Sequence, residues 1–179
     1  IIQINNINQV TKMRLFIAEK VKALFFIIFA LFSFASFLSY NSSDPGINFV
    51  GNNSETTNMM GLFGAYFSSI MYTFLGYSCY LLPIFFMTHG SAALLSNKRG
   101  SVFIKLISLL FAIIFFNYSA YTLDNSFSLL SIFLNDITNP LLIKFFYYKY
   151  LGQFISVFFG LISVFLIMYS ININLKYFF

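Results

Sequence analysis

Residues Ala23 to Tyr40 read ALFFIIFALFSFASFLSY. At about 1.5 Å of rise per residue this uncharged run nearly crosses a hydrocarbon core of about 30 Å. Three further stretches are of the same kind. Met60 to Thr88 is longer than one crossing requires, with Gly61, Gly64 and Gly76 along it and Pro83 near its end, and is expected to tilt, to kink near Pro83 or to begin in the interface. Val102 to Tyr121, VFIKLISLLFAIIFFNYSAY, carries only Lys105, close enough to its start to snorkel toward headgroups. Leu151 to Ile171, LGQFISVFFGLISVFLIMYSI, carries no charge. Lipid offers no hydrogen bonds to bare backbone, and these runs are continuously apolar rather than alternating, so each is read as a helix and not as a barrel strand. The expected fold class is all-α, a multi-pass integral membrane four-helix bundle. With 59% hydrophobic and 8% charged residues and a mean hydropathy of +0.83, the 179 residues leave no room for a soluble domain of ordinary size.

The charges set the expected orientation, because Lys and Arg are retained on the cytoplasmic side. Lys12, Arg14, Lys20 and Lys22 precede the first span, Lys98 and Arg99 lie between the second and third, and Lys176 follows the fourth. The connection Asn41 to Met59 holds Asp44 and Glu55 but no basic residue, which places it outside. Thr122 to Tyr150 sets Asp124 and Asp136 against Lys144 and Lys149. Both termini are therefore expected in the cytoplasm, with 1–22 a basic segment, 23–171 the membrane domain and 172–179 the start of a linker. Orientation and anionic lipid then account for the net charge of +5, which argues against a nucleic-acid site. Ser33-Phe34-Ala35 has the small residues of a signal cleavage site, but the apolar run continues past it and reads as a span. The opening IIQINNINQVT reads as a disordered polar tail.

Small residues mark close-approach faces. The fourth span carries Gly152, Ser156, Gly160 and Ser163; the second carries Gly61, Ala65, Ser68 or Ser69, Tyr72 and Gly76; the third carries Ser101, Lys105, Ser108, Ala112 and Ser119. Such stripes serve either packing within one bundle or contact between copies. Catalytic groups are harder to find. Cys79 and His89 each stand alone of their type, with no metal-ligand spacing, and no P-loop pattern occurs, so neither a metal, a cofactor nor an enzymatic activity is expected of this chain. Transporters place ionisable groups near the midplane, and here only Asn117, Tyr118, Ser78 and Tyr80 are deep and polar, each suited to bonding a neighbouring helix.

The first loop carries the most specific pattern. Ser39-Tyr40-Asn41-Ser42-Ser43-Asp44-Pro45-Gly46 contains a strong turn signal after an interfacial tyrosine. It resembles the S-Y-x-x-x-D-P sequence that follows the first transmembrane helix in bacterial DNA translocases of the FtsK/SpoIIIE type. Gly61-Leu62-Phe63-Gly64-Ala65 and then Gly76-Tyr77-Ser78-Cys79-Tyr80-Leu81-Leu82-Pro83 resemble that family's second helix, G-x-x-G-A with a later G-x-x-x-Y-L-L-P. The likeness is strongest over residues 23 to 90. The family's Gly-rich turn before the last helix has no counterpart in Thr122 to Tyr150, where Leu129 to Leu134 or Pro140 to Tyr148 could form short interfacial helices.

The resemblance implies the membrane anchor of a division-associated DNA pump, a hexamer in the family, at the septum of the bacterial inner membrane and in contact with other division proteins. The family's RecA-like motor, with its Walker motifs, would lie beyond Phe179 or on a separate chain, and no direct nucleic-acid contact is expected from this region. The alternatives are a structural membrane subunit of another complex and a small transporter.

Overall fold

In the computed structural model, residues 2–47, 56–95, 100–121, 128–134, 136–137 and 149–171 are described, and among them every regular element is helical. Helix α1 spans Ile2–Leu38, α2 Gly61–Leu75, a 3₁₀ segment Gly76–Tyr80, α3 Leu81–Leu94, α4 Val102–Tyr121 and α5 Lys149–Ile171. A short helix occupies 129–134, within one of the two stretches proposed for interfacial helices; the other, Pro140 to Tyr148, lies outside the described residues, as does the linker 172–179. Four segments are long and apolar enough to cross a membrane, Thr11–Leu38, Gly61–Leu94, Val102–Tyr121 and Phe154–Ile171. The protein is a multi-pass membrane protein.

The opening is not a loose tail. α1 is helical from Ile2, since residues 1–40 contain neither Gly nor Pro, and a helix nucleated in the apolar run propagates back through them. Its 37 residues extend about 55 Å, well beyond one hydrocarbon thickness.

The second apolar stretch is not one rod. It breaks at Gly76, whose φ of 57° and ψ of −145° fall in a region open in practice to glycine alone, and continues through the 3₁₀ segment into α3. The break thus lies ahead of the kink expected near Pro83. Pro83 is the third residue of α3, where its missing N–H belongs to the first turn and costs no helical hydrogen bond. From Gly76 to Leu94 the rise is about 31 Å, one full crossing.

That descent runs antiparallel along α1. Tyr80 meets Phe37, Phe86 meets Phe26 and Phe29, and Gly90 sits on Ala23 and Ile27, while the Ala93 and Leu94 carbonyls reach Lys20. α2 does not share this path. Phe63 and Phe67 pack on Phe32, Gly64 lies beside Ser36, and Tyr72 reaches Phe37 and Tyr40. α2 therefore stays level with the last turns of α1 and crosses them, and the chain turns down only at Gly76.

α4 and α5 form a second antiparallel pair, with Phe115 stacked on Phe159, Ser119 against Ser156 and Gly160, and Ser108 against Leu166. The two pairs meet through larger side chains, in a core built on Phe85, Leu109 and Ile113. Lys105 does not snorkel. It is 5% exposed, because it shares the face of Ser108, Leu109 and Ala112 that turns toward the other helices.

Candidate functional site

The family-like residues gather at one end of the bundle, where α1 stops and α2 begins. A helix end leaves its last carbonyls without partners, and here the first loop and the second apolar stretch supply them. The Phe37 carbonyl accepts from Tyr80 Oη at 3.1 Å, from Tyr72 Oη at 3.4 Å and from the Tyr40 amide at 3.3 Å, and the two tyrosine hydroxyls are 2.6 Å apart. Tyr40 stacks on Tyr72 with ring centroids 4.5 Å apart. Ser39 Oγ donates to the Ala35 carbonyl at 2.7 Å and accepts from the Met59 amide at 2.9 Å.

Asp44 organises the return of the loop. The residue is 7% exposed, and its carboxylate accepts from the Thr57 amide and from Thr57 Oγ at 2.9 Å each, with its second oxygen 3.0 Å from the same hydroxyl. Asn41 caps this turn by accepting from the Ser43 amide and hydroxyl and donating to Thr57 Oγ. Pro45 follows in the same bend, half-buried. Asn58, 4% exposed, completes the clasp. Its amide donates to the Ser36 and Ser39 carbonyls and to Ser68 Oγ, and its side-chain oxygen accepts from the Met60 amide ahead of Gly61. A Cβ on Gly64 would stand 2.3 Å from that oxygen, so the helix seats against Asn58 only with glycine there. Ala65, Ser68 and Ser69 are buried on the same face.

A second polar cluster ties the two helix pairs. Asn117, fully buried, donates to Ser78 Oγ and to the Ile113 carbonyl at 2.9 Å each and accepts from Ser128 Oγ at 2.5 Å. Ser128 and Ser131 exchange hydrogen bonds as the cap of the short helix at 129–134. At the opposite end Lys20 Nζ reaches the Ala93 and Leu94 carbonyls, placing a cation at the negative end of the α3 dipole.

The structure thus brings together Ser39, Tyr40, Asp44, Pro45, Gly61, Gly64, Ala65, Gly76 and Tyr80, and leaves Pro83 on the descending helix. Ser156 and Gly160 lie apart from them on the α4–α5 seam; Gly152 falls in α5, where its surroundings are outside the described residues. Thr57, Asn58 and Ser128 escaped the sequence reading, which met Lys20 only as an orienting charge. Only Asn58, an Asx residue just before a helix start, and Ser128, a Ser three residues ahead of another Ser, left even a faint signal. Among the described residues no cluster of His, Cys, Asp or Glu is arranged to hold a metal. The polar groups of the clasp bond one another across the loop and tie it to the end of α1 and the start of α2.

The chain matches the family described as the 4TM region of DNA translocase FtsK/SpoIIIE over residues 17–132. It is 33% identical over 96 residues to DNA translocase FtsK of Rickettsia typhi, covering 54% of this chain and 13% of that protein. It is 30% identical over 95 residues to DNA translocase FtsK of Rickettsia bellii, covering 53% and 12%. To DNA translocase FtsK of Pseudomonas putida it is 37% identical over 54 residues, covering 30% and 6%. The chain thus spans a small part of the length of the curated relatives it matches. No solved structure matches it. The matched region runs from the basic flank of α1 to the short helix at 129–134 and so contains the whole clasp and the Asn117 cluster; the chain belongs to the four-transmembrane region of the FtsK/SpoIIIE DNA translocases.

Proposed function

We propose that this chain is the membrane anchor of a DNA translocase acting in cell division and chromosome segregation, an oligomerisation and recruitment module whose ATP-driven motor lies in a different domain. The observation that carries the reading is the family match over 17–132, with relatives named DNA translocases that are far longer than the matched part. The geometry supports it. The buried polar side chains of the clasp and of Asn117 are engaged with helix ends and neighbouring helices, as an anchor requires, and Asn117 has its donors and acceptor taken within the chain rather than offered to a solute.

In this reading both termini are cytoplasmic in the bacterial inner membrane, the basic flank Lys12 to Lys22 faces anionic lipid, and the Asp44 loop faces outward, where division proteins can reach it. Nucleic acid is handled by the motor and not by this region. The test is the distribution of a fluorescently tagged copy in dividing cells. Enrichment at the septum is expected, and uniform membrane fluorescence would overturn the reading.

A further inference from the structure

A recess lies beside the Asn117 cluster. The last turn of α2 lines it with Phe74 and Leu75, and the short helix at 129–134 lines it with Leu129, Leu130 and Phe133. Its volume is about 510 Å³, in the range of pockets that enclose a small molecule and room enough for one acyl chain. Asp136, just past the short helix, also lines it. Among the described residues it alone brings charge to the lining, and it is exposed, with no hydrogen-bond or ion-pair partner.

The depth of the recess follows from its neighbours. α4 rises about 30 Å over its 20 residues, one hydrocarbon thickness, so Tyr121 stands at the boundary and Asn117 about 6 Å inside it. Ser78 and Ser128 are bonded to Asn117, which brings the 3₁₀ segment and the start of the short helix to that level. Tyr40 and Tyr77, exposed at the same end of the bundle, suit an interface. The recess therefore lies where acyl chains meet headgroups, and half-exposed Phe74 and Phe133 leave it open to them.

Apolar walls alone do not choose among lipids, whose tails are alike. The exposed phenylalanines of α5, Phe154, Phe158 and Phe165, stand on such an uncharged face. A carboxylate does choose. It repels an anionic headgroup and accepts charge-assisted hydrogen bonds from a primary ammonium, whereas the quaternary ammonium of choline has no N–H to give.

We propose that this recess binds one phospholipid with a primary-amine headgroup, phosphatidylethanolamine, with an acyl chain between Phe74 and Phe133 and the ammonium on the Asp136 carboxylate. The site needs only the bilayer, so it stands whichever way the protein is inserted and apart from the anchor reading.

The protein contains no tryptophan, so Phe133→Trp gives a single fluorescent reporter on the wall of the recess and Phe158→Trp, on α5, a reference. The full chain is reconstituted in phosphatidylcholine vesicles holding the same fraction of either phosphatidylethanolamine or phosphatidylglycerol, brominated on the acyl chain, and quenching is read. Phosphatidylethanolamine is expected to quench Phe133→Trp about threefold more strongly than phosphatidylglycerol, the scale of one exposed charge contact, and to quench Phe158→Trp no differently. Asp136→Asn in the Phe133→Trp background is expected to abolish the preference and Asp136→Glu to keep it, which separates loss of the charge from loss of the fold. Equal quenching of Phe133→Trp by the two lipids, a preference for phosphatidylglycerol, or a preference that survives Asp136→Asn would each overturn the site. So would an inserted, helical protein whose Phe133→Trp neither lipid quenches, since the recess would then be covered by protein.

Discussion

The two antiparallel pairs solve one packing problem in different ways. α1 and α3 are clasped at their ends, by Asp44, Asn58, Tyr72 and Tyr80 around the terminus of α1 and by Lys20 on the last carbonyls of α3. α4 and α5 are joined along their length, by serine hydroxyls reaching backbone carbonyls of the facing helix and by Gly160 under Ser119. Hydrocarbon supplies no hydrophobic drive between helices, so each pair must rely on close packing and hydrogen bonds. A clasp made from loop residues fixes where a long segment turns and which way it leaves. A seam along two straight helices fixes only their spacing and register.

The contrast predicts unequal sensitivity. Gly90→Val attacks the packing between the clasps, since a Cβ there would lie 2.7 Å from Ile27 Cγ1 and 3.0 Å from the Ala23 carbonyl. It is expected to destabilise the N-terminal pair by about 3 kcal/mol, read as denaturant-induced loss of helicity in bicelles. Asn117→Ala removes the polar tie between the pairs, leaving their apolar core, and is expected to cost about 2 kcal/mol from its lost hydrogen bonds and the space left behind. Cys79, fully buried one residue beyond Ser78, reports that change directly, as a faster alkylation rate.

Asp44→Ala leaves the Thr57 amide without its carboxylate partner and is expected to cost about 1.5 kcal/mol, appearing as faster amide exchange at Thr57 while α4 and α5 are unchanged. Ser156→Ala is expected to cost only about 0.6 kcal/mol, the average for one such bond in a membrane bundle. If it proved as damaging as Asp44→Ala, the distinction between clasped and seamed pairs would fail.

Much of this was legible from one dimension. The lengths of the apolar runs, the small residues of α4 and α5, and the order of Ser39, Tyr40, Asp44, Gly61, Gly64 and Gly76 were visible as pattern. The role of those motif residues was not. Asp44 looked like part of a turn until Thr57, across the loop, was seen to complete it, and Asn58 had no visible reason to matter until Ser36, Ser39 and Ser68 converged on it. Lys105 was misplaced for a related reason. Its nearness to a span end permits snorkelling, but its direction follows from the helical face it shares with Ser108 and Ala112.

What the sequence by itself determined is that this chain lives in a membrane as helices, because hydrophobic length and the absence of charge are properties of consecutive residues and the bilayer reads them consecutively. Only the tertiary structure decided that the second apolar stretch folds back at Gly76, that α2 lies across α1 instead of descending with α3, and which stripes meet inside the chain. Those outcomes depend on hydrogen bonds and close approaches between residues distant in sequence, whose partners no local pattern specifies.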